Sequence, residues 1–126
     1  MEMAIVKPKD IVFDFNTNIP EKYQKEISKA CRLLKNEGVE KVYLFGSMVT
    51  GNIHTYSDID IGIKGFPKGK FIRMYSKLSN CLDVKFDLIN FDFNNRLFTL
   101  LENLNEVVEI GWFNKNKNIW CNFKNW

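Results

Sequence analysis

The sequence predicts an α/β (α+β) domain, a small mixed sheet with helices packed mainly on one face. Three observations predict this. Apolar residues recur at three- and four-residue spacings in three segments, as they do along one side of a helix. Short runs rich in β-branched and aromatic residues fall between those segments. Glycines punctuate the joins. The chain has 126 residues, 45% of them hydrophobic and 26% charged, which supports one globular domain and argues against a disordered chain. We read residues 1–126 as that single domain, with a core of about 20–111 and an aromatic, basic tail over 112–126.

Each element has its own signal. Just after Pro8, Ile11, Phe13 and Phe15 alternate with Val12 and Asp14, the pattern of a half-buried strand. Residues 20–37 predict a helix: Asn18 can cap it, Pro20 suits its first turn and Glu21 meets the positive end of its dipole. Tyr23, Ile27, Ala30, Leu33 and Leu34 share one face, and Gly38 ends the helix. Residues 40–45 form a strand that stops at Gly46, residues 47–51 a single helical turn, and 51–57 a polar loop. A second strand spans 58–64 and is broken by Gly65-Phe66-Pro67. Residues 68–80 read as a helix, with Phe71, Ile72, Tyr75 and Leu78 on one side. Residues 82–90 read as a third strand, in which Val84, Phe86 and Leu88 alternate with Lys85, Asp87 and Ile89. Asn94 can cap a last helix over about 95–109, with Leu97, Leu101, Leu104 and Val108 aligned and Gly111 as its stop. Strand order does not follow from these patterns.

Composition excludes several classes of function. No apolar run approaches the roughly 18 residues of a membrane span, and Met1 to Asp10 contains no signal-type apolar segment. The expectation is a soluble, cytoplasmic protein with no membrane contact. Cys31, Cys81 and Cys121 are widely spaced and odd in number, which fits packed thiols rather than a disulfide frame or a zinc site. The net charge of +3 is carried by Lys115, Lys117 and Lys124 of the tail, where there is no acid. The body is therefore neutral, with no strong signal for nucleic-acid binding.

The chemistry concentrates in Val42 to Ile63, VYLFGSMVTGNIHTYSDIDIGI. Residues two apart on a strand share a face, so Asp58 and Asp60 project together while Ile59 and Ile61 face the core. Two adjacent carboxylates repel each other, and a divalent cation relieves that repulsion. An all-oxygen ligand set points to Mg²⁺ or Mn²⁺. Two such ions can stabilise the attacking and leaving oxygens of a phosphoryl displacement. Asp87, a lone acid between Phe86 and Leu88, is the candidate third ligand, with Asp83 the runner-up. Gly46 lets backbone N–H groups approach a ligand closely, and a helix beginning at Ser47 aims them at a phosphate. The Ser47 hydroxyl adds a donor.

Gly46-Ser47, ten residues, then Asp58-x-Asp60 resembles the GS-x10-DxD signature of the DNA polymerase beta-like nucleotidyltransferase superfamily. The string FGSMVTG…SDIDIGI is similar to its minimal nucleotidyltransferases, small single-domain members. The resemblance implies the polymerase beta-like fold, with Asp58, Asp60 and Asp87 holding two divalent cations and Asp87 also helping to deprotonate an acceptor hydroxyl. It implies that Gly46 and Ser47 hold the distal phosphates of an NTP, most commonly ATP. The implied reaction moves an NMP, such as AMP, to that hydroxyl and releases pyrophosphate. The implied setting is a toxin–antitoxin pair, with a HEPN-type protein as partner and acceptor, or else a homo-oligomer.

The sequence departs from the family at one place. Many minimal members read GSRARG, whereas Met48 and Thr50 stand here at the arginine positions. A triphosphate grip loses two charge-assisted hydrogen bonds. His54 falls where another arginine is common, and Lys64, Arg73 and Lys85 are the other cations that could meet phosphate. The departure keeps an alternative open: a catalytically weak or inactive module that acts as a structural antitoxin or dimerisation partner.

Overall fold

The computed structural model describes residues 11–12, 19–110, 112–114 and 119–121, with 11–12, 112–114 and 119–121 as backbone. In chain order the elements are β1 (Ile11–Val12), α1 (Glu21–Asn36), β2 (Lys41–Phe45), α2 (Ser47–Thr50), β3 (Ile59–Lys64), α3 (Phe71–Cys81), β4 (Phe86–Asn90), α4 (Asn95–Asn103), β5 (Val107–Ile110), β6 (Trp112–Asn114) and β7 (Ile119–Cys121). Four of the strands form a mixed sheet in the order β4-β3-β2-β5. β3 and β4 are parallel; the other two pairings are antiparallel.

Strand alternation divides the core between the two faces of this sheet. Val42, Leu44, Ile59, Ile61, Ile63, Leu88 and Ile110 point to one face. There they meet Tyr23, Ile27, Ala30 and Leu34 of α1, and Met74 and Leu78 of α3. The α1 face is the one its spacing predicts. Glu37 joins the two helices at one end, accepting from Arg73 at 3.0 Å and Lys77 at 2.7 Å. The opposite face is thinly covered: α4 alone seats Phe98 and Leu101 on Tyr43 and Phe91. The rings of Tyr43, Phe91 and Phe98 pack edge-on or tilted, 5.0 to 5.7 Å apart. Gly62 makes room for this cluster. A Cβ there would lie inside 3.0 Å of the Phe91 ring, closer than real Cβ atoms come.

Two boundaries differ most from expectation. The third strand begins at Phe86, not Leu82. Its expected first donors are taken elsewhere: Leu82 N–H donates to the Leu78 carbonyl at 2.8 Å, and Asp83 N–H to Glu26 Oε1 at 2.8 Å. The last helix ends at Asn103. Asn105 adopts a left-handed φ of 56°, and the β-branched pair Val107-Val108 continues as β5 against β2. Val108 therefore belongs to the sheet core, not to a helical face. The described residues of the N-terminal strand, Ile11–Val12, pair in parallel with β7, itself antiparallel to β6. Phe13, Phe15, Asn18, Gly111, Trp126 and the lysines of the tail lie outside the described residues, as does Pro8. No helix among the described residues is long and apolar enough to cross a membrane.

Candidate active site

Strand pairing gathers the predicted residues at one end of the sheet. Phe45, the last residue of β2, pairs with Asp60 of β3, so the Gly46-Ser47 turn leaves the sheet beside Asp60. Asp60 in turn pairs with Asp87 of the parallel strand β4. Parallel partners on one face point their side chains the same way, so the two carboxylates are neighbours on the thinly covered face. Asp58 lies one residue before β3, and the flanking Ile59 and Ile61 are fully buried on the other side.

Gly46 is required at its position for two reasons. Its φ is 74°, which L-residues with a side chain rarely adopt. A Cβ there would also lie inside 3.0 Å of Asp60 Oδ2. The phosphate-type turn and the DxD motif are thus in direct contact. Beyond the turn, the Gly46 carbonyl accepts from Val49 and Thr50 at 2.9 and 3.0 Å. That leaves the Ser47 and Met48 amides as the first donors of α2.

The loop before Asp58 is tied down. His54 N–H donates to Ser57 Oγ at 2.8 Å, and Ser57 N–H donates back to the His54 carbonyl at 3.1 Å. The Tyr23 hydroxyl of α1 donates to the Thr55 carbonyl at 3.3 Å. Ile59 N–H donates to the Lys85 carbonyl at 3.0 Å, fixing Asp58 against β4.

The electrostatics fit a cluster of carboxylates under stress. The Asp60 carboxyl is raised from 3.8 to about 6, by burial first, then by the charge of Asp87, a hydrogen bond with Asp87 and the charge of Asp58. Half-buried Asp60 and exposed Asp87 lie within hydrogen-bonding reach of each other. Among the described residues, no three His, Cys, Asp or Glu side chains close into a ready-made metal cage. The donors nevertheless suit a hard divalent cation: all are carboxylate oxygens, and a bound positive charge would relieve the repulsion that pushes Asp60 up.

Other sequence candidates sort by location. Asp83 extends toward Lys29, 3.7 Å away, and has no pairing with Asp60. Arg73 is engaged by Glu37. Lys64 ends β3, four residues beyond Asp60, with its ammonium 3.6 Å from the centre of the Phe98 ring. His54 is exposed in the loop. Of the candidate cations, Lys85 sits at the carboxylate end, lining a cleft of about 500 Å³ with Asp58, Asp87, Tyr75, Ser79 and Phe86. Tyr75 and Ser79 were not legible as site residues, because they face this cleft only through the packing of α3 on β4. Met48 is fully buried in the main core, and Thr50 is exposed. The first of the two arginine positions is thus a packing position in this chain.

A mixed four-stranded sheet with a Gly-Ser turn and a row of carboxylates at one end defines a nucleotidyltransferase-type domain. Residues 25–118 match the family described as "Polymerase beta, Nucleotidyltransferase". The chain belongs to that family. Among solved structures, a toxin–antitoxin with AMP-PNP shares the fold, at a TM-score of 0.52 and 23% identity over 74% of this chain and 75% of that one. A mutant of the toxin–antitoxin MntA-HpeT aligns at a TM-score of 0.43 and 27% identity over 52% of this chain and 56% of that one. No curated protein matches the chain.

Proposed function

We propose that this chain is a divalent-cation-dependent nucleotidyltransferase that moves an NMP, AMP in the first instance, from an NTP to a hydroxyl on a partner protein. The observation that carries the reading is the row formed by Gly46, Asp60 and Asp87, in which the turn suited to phosphate touches one of two paired carboxylates. In the reaction, the acceptor oxygen bonds to the α-phosphorus, and the bond from that phosphorus to the bridging oxygen of pyrophosphate breaks. Asp87, the exposed carboxylate of the row, takes the hydroxyl proton. Gly46 and Ser47 hold the departing phosphates through backbone N–H groups and the Ser47 hydroxyl. Asp58, Asp60 and Asp87 would hold Mg²⁺ or Mn²⁺, which when bound neutralises charge on the phosphates.

A toxin–antitoxin setting, with a HEPN-type partner as acceptor, is part of the same proposal. It draws on the minimal-nucleotidyltransferase signature and on the fold shared with a toxin–antitoxin solved with AMP-PNP. A second reading is favoured by one observation: buried Met48 and uncharged Thr50 supply no cation to a triphosphate. Under that reading the fold serves as a binding module with little catalysis. Transfer assays with ATP labelled at the α- or γ-phosphate, Mg²⁺ and the product of the neighbouring gene separate the two. The enzyme predicts α-label but no γ-label on the partner, and no transfer by Asp60→Asn. A partner that stays unlabelled while binding stoichiometrically supports the module.

A further inference from the structure

We infer that Tyr75 is itself an acceptor, so that the chain transfers an NMP to its own phenol; this rests on the transferase reading above. In-line displacement sets where an acceptor must be. In the proposed reaction pyrophosphate departs toward Gly46 and Ser47, so the attacking oxygen enters from the opposite side of the α-phosphorus. Along the row that runs Gly46, Asp60, Asp87, that side lies beyond Asp87. There, at β4, the edge strand of the four-stranded sheet among the described residues, opens the cleft of about 500 Å³ that Asp58 and Asp87 line together with Tyr75. Because the cleft lies at the sheet edge, Asp87 from one face and Tyr75 of α3 from the other open into the same space.

Tyr75 stands apart from the other hydroxyls nearby. Its ring lies 5.1 Å from that of Phe86, tilted at 42°, which holds it beside the residue preceding Asp87. It is 44% exposed, and its hydroxyl has no hydrogen-bond partner among the described residues. No bond has to break for it to turn into the cleft. A phenol also releases its proton more readily than an alcohol. Ser79 shares the cleft, on a shorter stem one helical turn further along α3. Ser57 is buried, its Oγ accepting from His54 N–H. Tyr56 lines a separate pocket of about 320 Å³. In the step, Tyr75 Oη bonds to the α-phosphorus as the bond from that phosphorus to the bridging oxygen of pyrophosphate breaks, and the phenolic proton passes to Asp87. The product is a phosphodiester between the tyrosine and the nucleoside.

The test incubates the full chain alone with Mg²⁺ and ATP labelled at the α- or the γ-phosphate, then digests it with trypsin. The expected result is α-label without γ-label on the peptide Met74–Lys77, reduced at least tenfold in Tyr75→Phe, which keeps the ring on Phe86. The rate per chain should not change on tenfold dilution, because the acceptor and the site belong to one molecule. Mn²⁺ without nucleotide supplies a readout that needs no turnover. It should broaden the Tyr75 ring resonances, identified by their absence from Tyr75→Phe, at concentrations that leave those of Asp60→Asn unaffected. Label confined to other peptides, label retained in Tyr75→Phe, a rate that falls with dilution, or unbroadened Tyr75 resonances each overturn the inference. A wild type that labels the partner protein but not itself also overturns it, while leaving the transferase reading standing. A wild type that labels neither defeats both.

Discussion

Replacing Asp60 by Asn should stabilise the cation-free protein at neutral pH. Asp60 is half-buried beside Asp87 and Asp58, and its carboxyl titrates near 6 rather than 3.8. A folded-state pKa above the unfolded one means that the native state holds a proton the unfolded state has lost. Between about pH 4 and pH 6 stability therefore falls as pH rises, and it stays low above pH 6. At about 1.36 kcal/mol per pH unit the full effect is about 3 kcal/mol; solvent screening at a half-open site reduces it to about 1–2 kcal/mol. Asn fills nearly the same volume without the charge. Asp60→Asn should exceed wild type by that amount at pH 7.5, roughly 3–8 °C in Tm for a domain of this size. The advantage should vanish near pH 4. Mn²⁺ should raise the wild-type Tm and leave the variant unchanged. Thermal and urea denaturation at pH 4, 5.5 and 7.5, with and without Mn²⁺, measure all of this. A variant equally or less stable than wild type at pH 7.5, or a difference independent of pH, refutes the reasoning.

Gly46→Ala should lose transfer activity and destabilise the fold by about 1–3 kcal/mol, because the left-handed φ and the Asp60 carboxylate both oppose a Cβ; urea titration and a label-transfer assay check it. Gly62→Ala should lose about 1–3 kcal/mol by driving a methyl into the Phe91 ring. Phe91→Leu in the same chain should restore part of that loss, a coupling that a double-mutant cycle reads directly. Met48→Arg should fold poorly, losing several kcal/mol, because it buries an unpaired charge in the main core. Thr50→Arg, at an exposed position, should fold normally and tighten NTP binding several-fold by calorimetry.

α1, β2 and β3 were legible because their apolar patterns are clear and stop at Gly38, Gly46 and Gly65; α3 was legible as a helix, but its buried positions are Met74 and Leu78, with Ile72 and Tyr75 exposed. β5 was hidden by coincidence: Leu97, Leu101, Leu104 and Val108 keep a helical spacing across a boundary set by the left-handed Asn105. Asn before a β-branched pair was the available signal. The Gly-Ser turn and the DxD pair were legible as chemistry, but their contact was not. It follows from the antiparallel register of Phe45 and Asp60, which no local pattern reveals. Asp87 stood out as an acid in an apolar strand, yet its place beside Asp60 depended on strand order. Gly62 inside Ile-Gly-Ile could have been read as a close approach. Its partner Phe91 could not, because the ring reaches it from the segment following β4. The arginine positions illustrate the opposite case: the sequence showed that charge was missing, and only packing showed that Met48 belongs to the core.

Under the proposed function, Asp58, Asp60 and Asp87 act as one cation site beside the Gly46-Ser47 turn. Mn²⁺ titration followed by electron paramagnetic resonance, with and without AMP-PNP, tests it most directly. Wild type should bind Mn²⁺ more tightly when the nucleotide is present. Asp58→Asn, Asp60→Asn and Asp87→Asn should each weaken Mn²⁺ binding at least tenfold while remaining folded, and Asp83→Asn should not. Wild-type Mn²⁺ affinity in all three variants, or an effect of Asp83→Asn equal to theirs, would contradict it.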